Sequence, residues 1–252
     1  MIRTNKIVSA VTKVRIYFLL ACISAAGLIV PQTRATAQDR KAFGYQNLQQ
    51  HDDKPYHFGF ALGVNRMNFS LKPVEKQFPN IRNVFPEPDF GFHIGIVSNL
   101  KLNEFLDLRF IPTLAFGDRY VEFYTGGFSP NEWQYQQHLE ATIMEFPLHI
   151  KYKSARMTNT RAYVIGGFKY THDLASLDEL EGDMYLAVAR NDIHYEMGVG
   201  FDYYFYYFKF ALEVKTSFGI GELKRRVAGQ DPFYDPIDRL NSKTIMISLL
   251  FE

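Results

Sequence analysis

"FDYYFYYFKF", Phe201 to Phe210, places eight aromatic rings in ten residues. A soluble core seats a few such rings, and each buried tyrosine needs a partner for its hydroxyl. A soluble surface showing the rest would be an adhesive patch. The flanking residues decide the matter, because they alternate. Upstream, Ile193, Tyr195, Met197, Val199, Phe201 and Tyr203 oppose His194, Glu196, Gly198, Gly200 and Asp202. Downstream, Phe208, Phe210, Leu212, Val214 and Phe218 oppose Lys209, Ala211, Glu213, Lys215 and Ser217. Period two is the signature of a strand, so the aromatic run is two strand ends joined by a very short turn.

The same alternation recurs from Tyr56 to the end of the chain. Phe58, Phe60, Leu62 and Val64 oppose glycine, alanine and asparagine, and Phe90, Phe92, Ile94 and Ile96 oppose Gly91, His93, Gly95 and Val97. Leu106 to Phe116, Phe146 to Tyr152 and Ile245 to Phe251 repeat it, while "RAYVIGGFKYTHD" (161–173) reads as a strand with apolar residues on both faces. Eight strands result. One face of each is apolar and aromatic, and the other carries glycine, small residues and charges.

Alternation by itself does not say which face points inward. The connections do. Segments 98–104, 154–160 and the turn near 204–207 are short, whereas 72–89, 121–138, 173–190 and 222–240 are long, and the two kinds alternate strictly. That asymmetry belongs to outer-membrane barrels, with short periplasmic turns and longer outer loops. The sequence therefore predicts an all-β, eight-stranded antiparallel transmembrane β-barrel in the bacterial outer membrane. Phe201, Tyr203, Phe208 and Phe210 are its expected periplasmic aromatic girdle, with the residues from Tyr204 to Tyr207 at the interface.

Composition agrees and excludes other classes. The chain has 252 residues, a net charge of +1, 16% aromatic residues and one cysteine. Nothing here suits nucleic acid. Lys6, Lys13 and Arg15 precede the apolar run "IYFLLACISAAGLIV" (16–30), and Ala35-Thr36-Ala37 supplies a cleavage site. Residues 1–37 are thus read as a cleaved signal peptide, 38–55 as a polar periplasmic leader with little to bury, and 56–252 as the barrel. Cys22 lies within the signal, so the mature chain is expected to have no thiol chemistry. The apolar run continues past it, unlike a lipoprotein tether.

An eight-stranded barrel is just wide enough for side chains to fill. Asp107, Arg109, Glu145, His149, Lys151, Glu196, Asp202, Lys209, Glu213 and Lys215 are accordingly expected inside as mutual ion pairs, forming a packed plug. For catalysis the outer loops offer His138 with Glu140, His172 with Asp173, and Ser129. None has a spacing that forces a triad, so no enzyme activity, catalytic residue or cofactor is expected. The histidines show no H-x-H or H-E-x-x-H pattern, so no metal site is expected either. Ser176-Leu177-Asp178-Glu179 is a capping-box pattern that predicts a short helix near 177–189, weakened by Gly182. Trp133 is expected at the interface, Phe78 and Phe85 on a contact surface, and Lys224-Arg225-Arg226 in a solvated loop.

Two segments carry a resemblance. "EFPLHIKYKS" (145–154) is similar to a strand common across outer-membrane barrels. "HDDKPYHFGFALGVNRMNFSL" (51–71) resembles the entry to the first strand in the PorT family, also called SprT, and the similarity extends through most of the mature chain. PorT-type barrels are associated with type IX secretion and gliding motility. The resemblance implies a part in exporting proteins with C-terminal sorting domains, as an accessory or assembly component. It implies outer-membrane lipid and other type IX secretion proteins as partners, and it offers no catalytic residues. A generic structural or adhesive barrel, or an outer-membrane lipid-modifying enzyme, are the alternatives.

Overall fold

A strand that is apolar on one face and polar on the other must still pair its backbone on both edges, and inside a bilayer no water can stand in for a missing neighbour. The fold meets that demand by closing on itself. The computed structural model describes residues 46–74, 83–124, 134–175, 187–225 and 236–252. The strands are β1 (Tyr56–Pro73), β2 (Asn83–Lys101), β3 (Leu106–Phe110), β4 (Thr113–Tyr124), β5 (Gln134–Lys153), β6 (Thr160–Asp173), β7 (Ala187–Val188), β8 (Asn191–Tyr204), β9 (Lys209–Gly219), β10 (Lys224–Arg225) and β11 (Ile237–Phe251).

All but β7 and β10 form one antiparallel sheet, in which β1 pairs with both β2 and β11 and so closes the ring. β3 and β4 are two parts of one crossing: Phe110 faces Leu148 and Thr113 faces Glu145 in the same register. Pro112 interrupts the ladder because it has no N–H to donate. Its carbonyl still accepts from Ile96 N–H at 3.0 Å. The barrel therefore has eight crossings joined by neighbouring hairpins.

Three tight turns, 102–105, 154–159 and 205–208, lie at one end. In the last, Phe205 N–H donates to Phe208 O at 3.0 Å. At the other end the strands run well beyond the expected lengths. β1 has 18 residues, β2 has 19 and β5 has 20. Twenty residues at ~3.3 Å each, tilted by ~40°, rise about 50 Å, against a hydrocarbon core of about 30 Å. Much of what the sequence assigns to loops 72–89 and 121–138 is in fact strand, standing above the membrane.

The reason those residues look unlike strands is that their alternation changes phase. In β1 the outward residues Phe58, Phe60, Leu62 and Val64 are exposed, and Asn65 opposite them is buried. Beyond Val64 the outward positions are Arg66, Asn68, Ser70 and Lys72, and the inward Met67 and Phe69 are buried. β4 changes in the same way: Leu114 and Phe116 give way outward to Asp118, Tyr120 and Glu122, while Val121 and Phe123 are buried inside. The lower barrel is apolar outside. The upper barrel is built like a soluble one.

The expected signal peptide (1–37), residues 38–45, Phe78, Ser129, Trp133 and Arg226 lie outside the described residues, as does 177–186 of the expected helix. Its last part, Ala187–Val188, is strand β7, paired with β10.

Candidate functional site

The inward faces of the eight crossings converge on the lumen, which holds three layers. The periplasmic mouth is closed by the leader. Its residues 46–55 do not hang free, as a segment with little to bury would. Gln49–His51 form one 3-10 turn, and the next residue, Asp52, becomes the hub. Its carboxylate accepts from Arg156 Nη1 at 3.1 Å, from both Arg161 Nη atoms at 3.3 Å, and from Tyr204 Oη at 3.1 Å. Lys101 donates to its carbonyl, and Arg156 to that of Asn47. Asn47 in turn binds Asn159 Oδ1 at 2.9 Å and the Tyr204 carbonyl at 3.0 Å. The His51 and His57 rings stack at 4.0 Å, and His57 Nε2 donates to the His51 carbonyl at 2.7 Å.

Two groups of this latch have displaced pKa values. Burial, helped by Lys209 and His57, lowers His51 to about 3, so it is neutral when docked. Burial alone would raise Asp52, but Arg161, Arg156 and Tyr204 outweigh it and hold the carboxyl below its ordinary value.

Above the latch lies a belt of buried charge. Lys153 Nζ is 2.6 Å from Asp107, and Lys151 Nζ reaches both Asp202 oxygens at 2.8 and 2.9 Å. Arg109 donates to Glu213 at 2.9 Å and to Glu252 at 3.3 Å, and Glu252 also takes Lys209 at 2.5 Å. Tyr163 Oη donates to the same Glu213 oxygen at 2.8 Å. Next, His149 Nε2 meets Glu196 at 2.6 Å, while Lys169 lies 2.8 Å from Glu145 and 3.1 Å from Glu196. Lys215 is buried at the same height, with no carboxylate in ion-pair range among the described residues.

The outer layer is apolar. Phe69, Val121, Phe123, Leu139, Ala189, Leu223, Ile237 and Leu240 form one cluster. The β7–β10 ribbon is tied down on it: Ala189 N–H donates to Leu223 O at 2.8 Å and Leu223 N–H to Leu240 O at 2.9 Å. Just beneath, Arg119 pairs with Asp173 at 3.0 Å beside a cavity of about 20 Å³, and the cavity at the latch is about 10 Å³. Each is the size of roughly one water.

Several of these residues escape a sequence reading. Asp52 and Asn47 sit in a polar leader, Tyr204 in an aromatic run, and Glu252 after the last strand. The structure turns Tyr204 inward, away from the interface where the sequence puts it, because it shares the inward parity of Asp202. Phe201, Tyr203 and Phe208 face outward and are exposed, and Phe210 packs edge-on against Phe251 at 5.4 Å. The loop groupings do not assemble. His138 lies 3.3 Å from Asp118 on the outside. His172, bound to Asn191 Oδ1 at 2.6 Å, faces away from the buried Asp173.

A closed ring of strands with an apolar outer belt and a polar, filled interior defines a transmembrane barrel of the bacterial outer membrane. Residues 36–225 match the family described as "Outer membrane protein beta-barrel domain", and the chain belongs to that family. Among solved structures, the chain is similar to Neisserial surface protein A (NspA), with 11% identity and a TM-score of 0.40 over 78% of this chain and 98% of that one. It is similar to OprG from Pseudomonas aeruginosa with 13% identity and a TM-score of 0.35, over 78% and 91% of the two chains. For the N-terminal barrel domain of OprF from the same organism the values are 12% and 0.29, over 75% and 96%. No curated protein matches the sequence.

Proposed function

We propose that this barrel is a non-catalytic accessory component of type IX secretion, needed for export of proteins with C-terminal sorting domains but not itself their passage. The pathway rests on the resemblance of residues 51–71 to the PorT family. The accessory role rests on one observation, the lumen: a latch, a belt of ion pairs and an apolar lid occupy it in series, with water-sized gaps between them among the described residues. A polypeptide would have to displace all three layers. The non-catalytic reading rests on the loop groupings, whose spacing forces no triad and of which His138 lies against Asp118 and His172 against Asn191. Other secretion proteins are the expected partners, reached through the outer loops or the lipid-facing wall.

A clean deletion tests the pathway. Sorting-domain proteins should accumulate in the periplasm and return to the medium when the intact gene is restored; normal export would sink the secretion role. Purified barrel in a planar bilayer tests the accessory role separately. It should show no steady conductance, and stable open channels would make it a conduit.

A further inference from the structure

We propose that the outer wall formed by β1 and β11 above the apolar belt binds the phosphorylated headgroup of the glycolipid that makes up the outer leaflet. Above Val64 and Ile245 the outward positions of these two paired strands carry Arg66, Lys72, Arg239 and Lys243. The register sets Asn68 beside Lys243, Ser70 beside Asn241, and Lys72 beside Arg239. Cations thus alternate with amide and hydroxyl groups, the donors that a phosphorylated sugar requires. Asp238, at the rim, is the one carboxylate on these two strands, and none of the four cations has an ion-pair partner among the described residues.

Depth favours lipid over a soluble partner. Arg66 stands two residues beyond Val64 and Lys243 two residues before Ile245, about 7 Å along the strand, where headgroups begin. Both cations lean on the outermost rings of the belt. The Arg66 guanidinium is 5.4 Å from the Phe90 ring and the Lys243 ammonium 5.6 Å from that of Phe218. Such side chains lay their stems on apolar surface and present charge at the interface. Lys72 and Arg239 form a second tier, about 20 Å beyond Arg66 and about 13 Å beyond Lys243 along the strands, level with the sugars attached to the lipid. The wall that continues from the other edge of β1 has the opposite sign: Glu87, Asp118, Glu122 and Glu140 face outward from β2, β4 and β5. Anionic headgroups should therefore gather on one side only.

The test uses the full-length protein in detergent, with bisphosphorylated lipid A and the same lipid stripped of its phosphates as probes. Bound lipid is counted by native mass spectrometry. Wild type should prefer the phosphorylated lipid, a comparison that needs no variant. R66Q and K243Q should each weaken it about fivefold, and the pair about thirtyfold. D118N/E140Q should leave binding unchanged, with all variants showing the heat-dependent gel shift of a folded barrel. Equal binding of the stripped lipid would overturn the proposal, as would an equal loss in the acidic-wall variant. Displacement by excess inorganic phosphate would also overturn it, by reducing the wall to a free-anion site. Capture of an acidic soluble protein, insensitive to lipid phosphates, would reassign the wall to that partner.

Discussion

Val64 and Ser70 both point outward from β1, six residues apart on the same face, yet they answer to different solvents. Below, the ladder is apolar outside and charged inside, and aromatic pairs such as Phe60–Phe251 and Phe92–Phe116, each 4.9 Å apart, stack across the strands. Above, the same backbone carries charge outside and Phe69, Phe123 and Leu240 inside. Neither register nor hydrogen-bonding pattern changes at the crossover in β1. The medium around the strand sets which face is apolar, and the barrel crosses from lipid to water partway up.

The most damaging change should be to the interior of the embedded half. Arg109→Leu leaves the Glu213 and Glu252 carboxylates without their guanidinium in a buried site, and should cost about 3–5 kcal/mol. Urea unfolding in lipid vesicles measures it. A loss under about 1 kcal/mol would mean that water, not protein, solvates the lumen. R109L/E213L should recover part of the loss, since it removes both members of one pair.

The outside of the two halves is compared most directly by one substitution made twice. Leu62→Arg, within the lipid-facing belt, should cost about 2–4 kcal/mol. Ser70→Arg, on the same face of the same strand, should stay within about 0.5 kcal/mol. Equal effects would place the membrane boundary somewhere other than at Arg66.

A smaller effect is expected at Gly200. A Cβ there would lie 2.3 Å from Tyr163 Cζ, so the ring that donates to Glu213 must move. Gly200→Ala should cost about 1–3 kcal/mol, and clearly less in a Tyr163→Leu background. Costs that simply add would show that the ring is not what the glycine accommodates.

Smallest of all is the pH response of the latch. His51 is neutral when docked and held at about 3, whereas a free histidine takes up its proton near about 6.5. The released leader then binds more protons as pH falls below that value. Docking should weaken by at most about tenfold per pH unit, and it is fully present above it. Asp52 adds the same sign at lower pH, because its depressed pKa favours the docked carboxylate until it too is protonated. A spin label at the exposed Lys54 should become mobile on acidification, and His51→Gln should blunt the change. Mobility that does not vary with pH would remove His51 from the latch.

The strands around Phe201–Phe210 were legible because one short turn lies at the membrane edge and both flanks keep a single phase. Residues 161–173 were ambiguous for a reason the structure supplies: Tyr163 and Ile165 are apolar but turn inward, packing with Ala61, Val97 and Leu250 in a small internal cluster. The upper strands read as loops in the sequence because the apolar residues switch from the outer to the inner face there. Position parity in β1 and β4 runs straight through the inversion, so parity rather than polarity carries the strand signal there. The leader gave no such signal. A polar decapeptide looks unburied until Arg156 and Arg161, more than a hundred residues away, are known to face Asp52.

The sequence by itself determined the lipid-facing parts of the strands, the number of crossings and the alternation of short and long connections, and hence the membrane barrel, because period-two alternation and spacing are local properties of the chain. Only the tertiary structure decided which buried charges meet, that Lys215 meets none within ion-pair range among the described residues, and that the lumen is shut by a latch below and an apolar lid above. Those outcomes depend on closure: bringing β1 against β11 sets the register of the whole ring at once, and with it the partner that each inward side chain finds across the lumen.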